Sequence, residues 1–343
     1  MNSVLGWIFQ GILLALLQVR YPAAAVTETE MVYGRDPSYP IYERYRYAYD
    51  TYGYLFLSEN ADDAAGAGAQ AEALPAADEE NGQAEEKGPA FLPAQLKDYD
   101  FLMKNFYSVH ASTTAGRDVM RADMLMGTDL RLEKNPDVPQ ILIYHTHSQE
   151  TYADYGPDNP NATVVANGDH LTELLRAKGW NVIHDTSAYD IQGGKLDRNK
   201  AYSYALEGIT QILQQNPTIQ VILDLHRDGV REGIHLVSEV NGKPTANIMF
   251  FQGMSRTPDG EIEYLPNPYL KENLAFSFQM QLAAAGRYPG FTRKIYLKGL
   301  RYNLHLRPRS ALIEVGAQTN TSAEALNAME PLAEVLDMVL QGE

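Results

Sequence analysis

Residues 141–150 read ILIYHTHSQE: four apolar or aromatic residues, then His145, Thr146 and His147, and Glu150 three residues on. A short apolar run that breaks abruptly into polar residues reads as a strand buried on both faces. IQVILDLH (219–226) is the most strand-like run in the chain and leads into His226, Arg227 and Asp228. SALIEVG (310–316) is a further strand with Glu314 inside it, and NVIHD (181–185) a shorter one. Helical patterns lie between them. Leu171, Leu174 and Leu175 recur at helical spacing within 169–180, where Gly179 suits a C-cap. Ala205, Ile209, Ile212 and Leu213 share a helical face in 200–215, as do Leu270, Leu274 and Phe278 in 270–285. TSAE (321–324) is a capping box opening a last helix to about residue 340. GIHLVSEV (233–240) and ANIMFFQG (246–253) read as a hairpin around Asn241-Gly242. This alternation predicts an α/β fold with a mixed, mostly parallel central sheet and helices on both faces.

In such sheets functional groups gather past the C-terminal ends of strands. Here those ends offer His145, His147 and Glu150, then His226 with Arg227, and Glu314. Histidine and carboxylate are what zinc takes at a catalytic centre, which keeps an open position for water. A carboxylate that is not a ligand then serves as general base. His145 and His147 point the same way only if 145–147 stay extended, so either is open as a ligand. Glu150 also reads as an ordinary acid at a helix N-terminus. Glu314 is harder to explain structurally, because an ionised carboxylate in an apolar strand is costly unless paired or functional. Arg227 is placed either to hold a substrate carboxylate or to pair with Asp228. His184 lies beside Asp185 with no second ligand near it in sequence, and reads as structural.

The chain has 343 residues, room for one large domain with additions or for two. It has no cysteine, which excludes disulfides, thiolate metal sites and a cysteine nucleophile. A formal net charge of -16 argues against nonspecific nucleic-acid binding, which needs a basic surface. Residues 1–25 are apolar from Val4 to Val19, broken by Gln10 and Gln18, and read as a membrane anchor or signal. The alanines at 23–25 are a candidate cleavage site. No Lys or Arg precedes the run, and Arg20 lies on the wrong side for the positive-inside rule. Residues 26–57 form a tyrosine-rich segment, read as poorly ordered rather than as a sugar-stacking surface. Residues 58–92 read as an acidic, disordered linker, with too little apolar surface to offset its ordering entropy. The remaining domain is 93–343.

Three stretches carry a family resemblance: ILIYHTHSQETY (141–152), LDLHRDG (223–229) and RPRSALIEVGAQTNTSAEA (307–325). With the lead-in FLMKNFYSVHASTT (101–114) and RYN (301–303), they make the chain resemble stage II sporulation protein P, a peptidoglycan hydrolase family, over about 95–340. The family's catalytic domain is similar to zinc N-acetylmuramoyl-L-alanine amidases. Those enzymes show a strand ending in Gly-His, a Glu ligand, a second His after a central strand and a catalytic Glu on a late strand. The resemblance implies Zn2+ held by His147 and His226, with Glu314 as the base. The amidase Glu ligand falls where this chain has none, so Glu150 takes that place, with Asp169 as the fallback. Beside the resemblance, His145 is read as a partner of the reacting water or as a group orienting a ligand, and Arg227 as a contact for a substrate carboxylate or a partner of Asp228. The resemblance further implies cleavage between N-acetylmuramic acid and L-alanine, with stem-peptide cleavage as a second activity, during sporulation engulfment. Peptidoglycan is then the substrate, and stage II sporulation proteins D and M the partners. The location implied is membrane-anchored and extracytoplasmic, on the mother-cell membrane. The competing readings are another zinc hydrolase, such as a carboxypeptidase or a deacetylase, and a non-catalytic wall-binding scaffold on the same fold.

Overall fold

Seven strands form the central sheet of the computed structural model, which describes residues 91–343. The readings of 1–25 and 26–57, and all of the 58–92 linker except its last two residues, lie outside the described residues. The strands are β1 (Tyr107–Val109), β2 (Ile141–Tyr144), β3 (Val182–His184), β4 (Val221–Asp228), β5 (Ile248–Gly253), β6 (Ile295–Lys298) and β7 (Ser310–Ala317). Their spatial order is β1-β6-β5-β7-β4-β2-β3. Every pairing is parallel except β5 with β7. The fold is thus α/β with a mixed, mostly parallel sheet, as the apolar strand runs predict.

Four long helices cover the sheet: α1 (Val164–Ala177), α2 (Ala201–Gln215), α3 (Leu270–Arg287) and α4 (Met329–Gln341). Helices α1, α3 and α4 pack with Ile141, Ile143, Leu223, Leu225, Phe250 and Ile313. On the opposite face, Ala205, Ile209 and Leu213 of α2 meet Leu142, Tyr144 and Ile222. Burying one such large side chain contributes roughly 1.5–3 kcal/mol. A one-residue slip of β2 or β4 would exchange these two sets between faces, so the core sets strand register. Among the described residues, the Phe91 ring lies edge-on to Phe106 with centroids 4.9 Å apart. Among the described residues no helix is long and apolar enough to cross a membrane.

Three local readings are corrected. Asn241 and Gly242 do form the tight turn, with φ of 53° and 74°, as a two-residue hairpin requires. That turn pairs Val237–Val240 with Lys243–Ala246, and the next residues, IMFFQG, leave the hairpin to enter the central sheet as β5. A two-residue turn fixes which residues face each other, so KPTA is the partner. The last helix is two, Ser322–Asn327 and α4. Pro331 has no N–H to give to Asn327, so it fits only in the first turn of a new helix. Helix α1 begins at Val164, ahead of the leucine pattern.

Candidate metal centre

Strands β4 and β7 are parallel neighbours, and Glu314 sits in register with His226. Alternation along the strands puts Asp224, His226, Leu312 and Glu314 on one face. The turn after β2 delivers His147 and Glu150 to the same place. Ligand atoms of His147, Glu150 and His226 all lie within 4.8 Å of one another, the one such three-residue cluster among the described residues. His147 Nδ1 is 3.5 Å from Glu150 Oε1, and His226 Nδ1 is 3.4 Å from Glu150 Oε2. Direct N–H···O bonds would be about 2.9 Å long. Donors about 2.0–2.1 Å from a shared tetrahedral ion stand about 3.4 Å apart. The spacing therefore suits a common cation better than direct pairing. The buried His147 Nε2 makes no hydrogen bond among the described residues. The Tyr202 ring walls the cluster, 5.5 Å from the His147 ring and stacked at 6.5 Å on His226.

Two buried carboxylates hold this turn. Asp224 accepts from Thr146 N at 2.9 Å and Thr146 Oγ1 at 2.6 Å. Its Oδ1 is also 2.9 Å from His226 Nε2, an ion-pair contact off the axis of the ring N–H. Burial alone would raise Asp224 and lower His226. Their mutual attraction wins, holding Asp224 below the usual carboxylate range and, with Glu150, His226 well above the usual histidine range. Asp190 accepts from Ser148 Oγ at 2.8 Å and Gln149 N at 3.1 Å. Sequence reading misses both residues. Asp224 had a signal: an acid inside VILDL invites the argument that singled out Glu314. Asp190 had none.

Burial would raise Glu150, but the imidazoles of His147 and His226 hold it well below the usual carboxylate range. Its Oε2 also accepts from Arg227 N at 3.0 Å. Glu314 behaves oppositely. Burial first, then Asp228 and Glu150, push its carboxyl up to about 8, against the pull of His226 and Arg293. Its Oε2 makes no hydrogen bond among the described residues. Arg227 does not pair with the Asp228 carboxylate. Its Nε donates to Thr151 O at 3.0 Å and its Nη1 to Asp228 O at 3.1 Å. Asp228 Oδ2 instead takes Arg293 Nη1 at 2.6 Å, a cation beside the site with no warning in the sequence.

His145 lies apart from this cluster, which corrects its reading as a contact of the reacting water. Residues 146–149 turn, so the chain does not stay extended and the two imidazoles part. His145 is fully buried, with Nδ1 2.9 Å from Leu225 O and Nε2 2.8 Å from His184 Nε2. Burial pushes its imidazole down to about 4. His184 Nδ1 in turn lies 3.0 Å from Asp169 Oδ1. Asp169, the fallback ligand, is therefore engaged elsewhere.

The sequence profile of stage II sporulation protein P (SpoIIP) matches residues 57–337. The chain belongs to the stage II sporulation protein P family. Stage II sporulation protein P of Bacillus subtilis (strain 168) is 25% identical over 214 residues, 58% of this chain and 50% of that protein. The chain thus spans about half the length of this curated relative. Among solved structures, similarity extends to the CwlD amidase from Clostridioides difficile in complex with the GerS lipoprotein (TM-score 0.38, 15% identity, 59% of this chain and 97% of that one). It extends also to the catalytic domain of CwlV, an N-acetylmuramoyl-L-alanine amidase from Bacillus (Paenibacillus) polymyxa var. colistinus (TM-score 0.37, 12% identity, 60% and 97%).

Two stretches singled out in the sequence, the one that follows Glu314 and RYN (301–303), line the surroundings of the site. After Glu314, Gly316 has φ of +60°, and a Cβ there would lie 2.6 Å from Asn320 Oδ1. That oxygen accepts from Ala317 N, while Asn320 Nδ2 donates to Leu236 O. Gln318 bonds both ways with the Val230 backbone, and Thr319 Oγ1 donates to Ile234 O at 2.6 Å. Residues 318–320 thereby lash the loop after β4 to the end of β7. In RYN, Tyr302 and Asn303 have φ of 50° and 60°, and both are buried. Asn303 Nδ2 donates to Tyr202 O at 2.8 Å, and the Tyr302 and Tyr202 rings meet at 5.4 Å. Left-handed residues of this kind cost about 1–3 kcal/mol each, offset here by seating Tyr202 against the histidines.

Proposed function

We propose that the chain is a zinc-dependent peptidoglycan hydrolase that cleaves the amide between N-acetylmuramic acid and L-alanine. One observation carries the reading: two imidazoles and a carboxylate converge, with a further carboxylate, Glu314, in register beside them. His147, Glu150 and His226 would hold the metal. The 3.4–3.5 Å spacing of His147 Nδ1 and His226 Nδ1 from the two Glu150 oxygens supports the fit. A zinc ion there supplies Lewis acidity to an amide carbonyl and lowers the pKa of a water.

The chain's own groups do the rest. Glu314 takes a proton from the attacking water and returns it to the leaving nitrogen. A nearby cation favours its ionised form while burial opposes it, which keeps the proton mobile. Arg227 spends N–H groups on two carbonyls and offers the others to a substrate carboxylate. In the same reading the enzyme also cuts stem peptides, works with stage II sporulation proteins D and M, and is held at the mother-cell membrane by its N-terminal apolar run.

Digestion of purified peptidoglycan, with mass analysis of the products, tests this. Zinc-loaded protein should release intact stem peptides with free L-alanine amino termini, and chelator should stop the release. Release of acetate or of a terminal amino acid alone would move the assignment to deacetylase or carboxypeptidase. Wall binding with no product would make the protein a scaffold.

A further inference from the structure

We infer that His145, His184 and Asp169 form a strut behind the sheet that holds the two His-bearing strand ends in register and thereby sets the metal affinity of the centre. The inference rests on the zinc reading above. The backbone ladder between β2 and β4 ends at Tyr144 and Asp224. One residue further, His145 Nδ1 meets Leu225 O at 2.9 Å, so a side chain continues the connection where the ladder stops. His147 is two residues on from that bond and His226 is one. A slip between the strands at this point would change the distance between the two imidazoles that must share an ion.

The strut has an outer anchor. His184, the last residue of β3, meets His145 Nε2 at 2.8 Å, and Asp169 of α1 meets His184 at 3.0 Å. With His145 neutral, its Nδ1–H donates to Leu225 O and its Nε2 accepts from His184 Nε2–H; the Asp169 carboxylate only accepts, so His184 carries protons on both nitrogens, a charge that Asp169 favours and burial opposes. Both nitrogens of His145 are then used, and the ring has none left for a metal or a substrate. It is a positioning residue. The contact is shielded from solvent, since the His145 residue is fully buried and the His184 side chain only 7% exposed. Helix α1 rests directly on the contact. A Cβ on Gly168 would lie 2.4 Å from His184 Nε2 and 2.6 Å from His145 Nε2, so only glycine allows this approach.

The test is the zinc dissociation constant, read by competition with a chromophoric chelator, alongside the melting temperature of the metal-free protein. His184→Ala removes the anchor, and Gly168→Ala wedges the two rings apart without removing a polar group. Each should weaken zinc binding by about 10-fold, the low end of what losing a direct partner of a metal ligand costs, because this strut acts through the backbone rather than on a ligand. His184→Asn can still donate an amide N–H to His145 Nε2 and should recover part of the affinity. Asp169 is exposed, so Asp169→Ala should weaken zinc binding less, with little change in melting; it decides the matter if His184→Ala does not fold. Wild-type affinity in His184→Ala or, failing that variant, in Asp169→Ala would overturn the inference, even with a lowered melting temperature, and leave the zinc reading standing. A wild type that takes up no zinc would overturn both.

Discussion

Glu314 and His226 face each other across two parallel strands, and the proposed function gives them opposite tasks, one to move a proton and one to hold a metal. Glu314→Gln keeps the shape and removes the basicity. Zinc content should survive, and turnover should fall at least ~10²-fold, the low end of general acid–base catalysis. Loss of zinc in that variant would make Glu314 a ligand. The same residue predicts a pH effect on stability. In the folded, metal-free protein its carboxyl titrates at about 8, against 4.5 for an ordinary glutamate. The folded state therefore binds this proton more tightly. The resulting stabilisation is complete below pH 4.5 and is lost as pH rises through 8. His226 shifts in the same sense, so the comparison must be with Glu314→Gln and not with the absolute slope. Urea melts should show the metal-free wild type losing stability relative to Glu314→Gln across that window. Parallel curves would mean that Glu314 is solvated.

Elements converge on the site because their ends are tied by side chains rather than by backbone alone. The segment after β7 is the clearest case. Gly316 holds a left-handed φ with Asn320 Oδ1 in the space a side chain would need, and residues 318–320 grip the loop after β4. Gly316→Ala should destabilise the protein by at least about 1–3 kcal/mol, the cost of a strained left-handed residue, with the clash of its Cβ against Asn320 added, measured by denaturant melts. It should also lower turnover, because Gly316 lies two residues from Glu314 on the same strand. A neutral effect on both would show that the segment relaxes freely. Local signals predicted short-range features well here. The Asn241-Gly242 turn and the Thr321 capping box both formed, because each is closed by atoms within four residues. The strand pairing beyond that turn did not follow, because β5 is claimed by β7 and β6 from elsewhere in the chain.

At the scale of the whole molecule, the candidate donor cluster joins the turn after β2 to the middle of the sheet, so a metal bound there would be linked to folding. A ligand that binds only the folded state adds about 2.7 kcal/mol at one hundred times its dissociation constant. Zinc should therefore raise the melting temperature, and chelator should reverse the rise. His226 is held protonated well above the usual range when no metal is present, and a ligand nitrogen must be free of its proton. Zinc uptake should accordingly release protons, and affinity should strengthen as pH rises toward the His226 value. Calorimetry in buffers of different ionisation enthalpy would count those protons. An unchanged melting temperature with bound zinc would place the metal somewhere other than this cluster.

The apolar runs ILIY, VILDL and ALIEV determined the α/β fold by themselves, because continuous burial on both faces leaves a strand few places but the middle of a parallel sheet. His147, Glu150, His226 and Glu314 were legible for a related reason: polar groups at the ends of, or inside, such strands are costly unless something uses them. What the sequence could not decide was which of two adjacent histidines faces the cluster. That depends on a turn at 146–149 held by Asp224 and Asp190, one 78 and the other about 40 residues away. Nor could it pair His145 with His184, or set Arg293 against Asp228 in place of Arg227. Those contacts join residues 39 and 65 positions apart. Only the packing of helices on a finished sheet brings such groups within reach, and no local pattern encodes a distance of that kind.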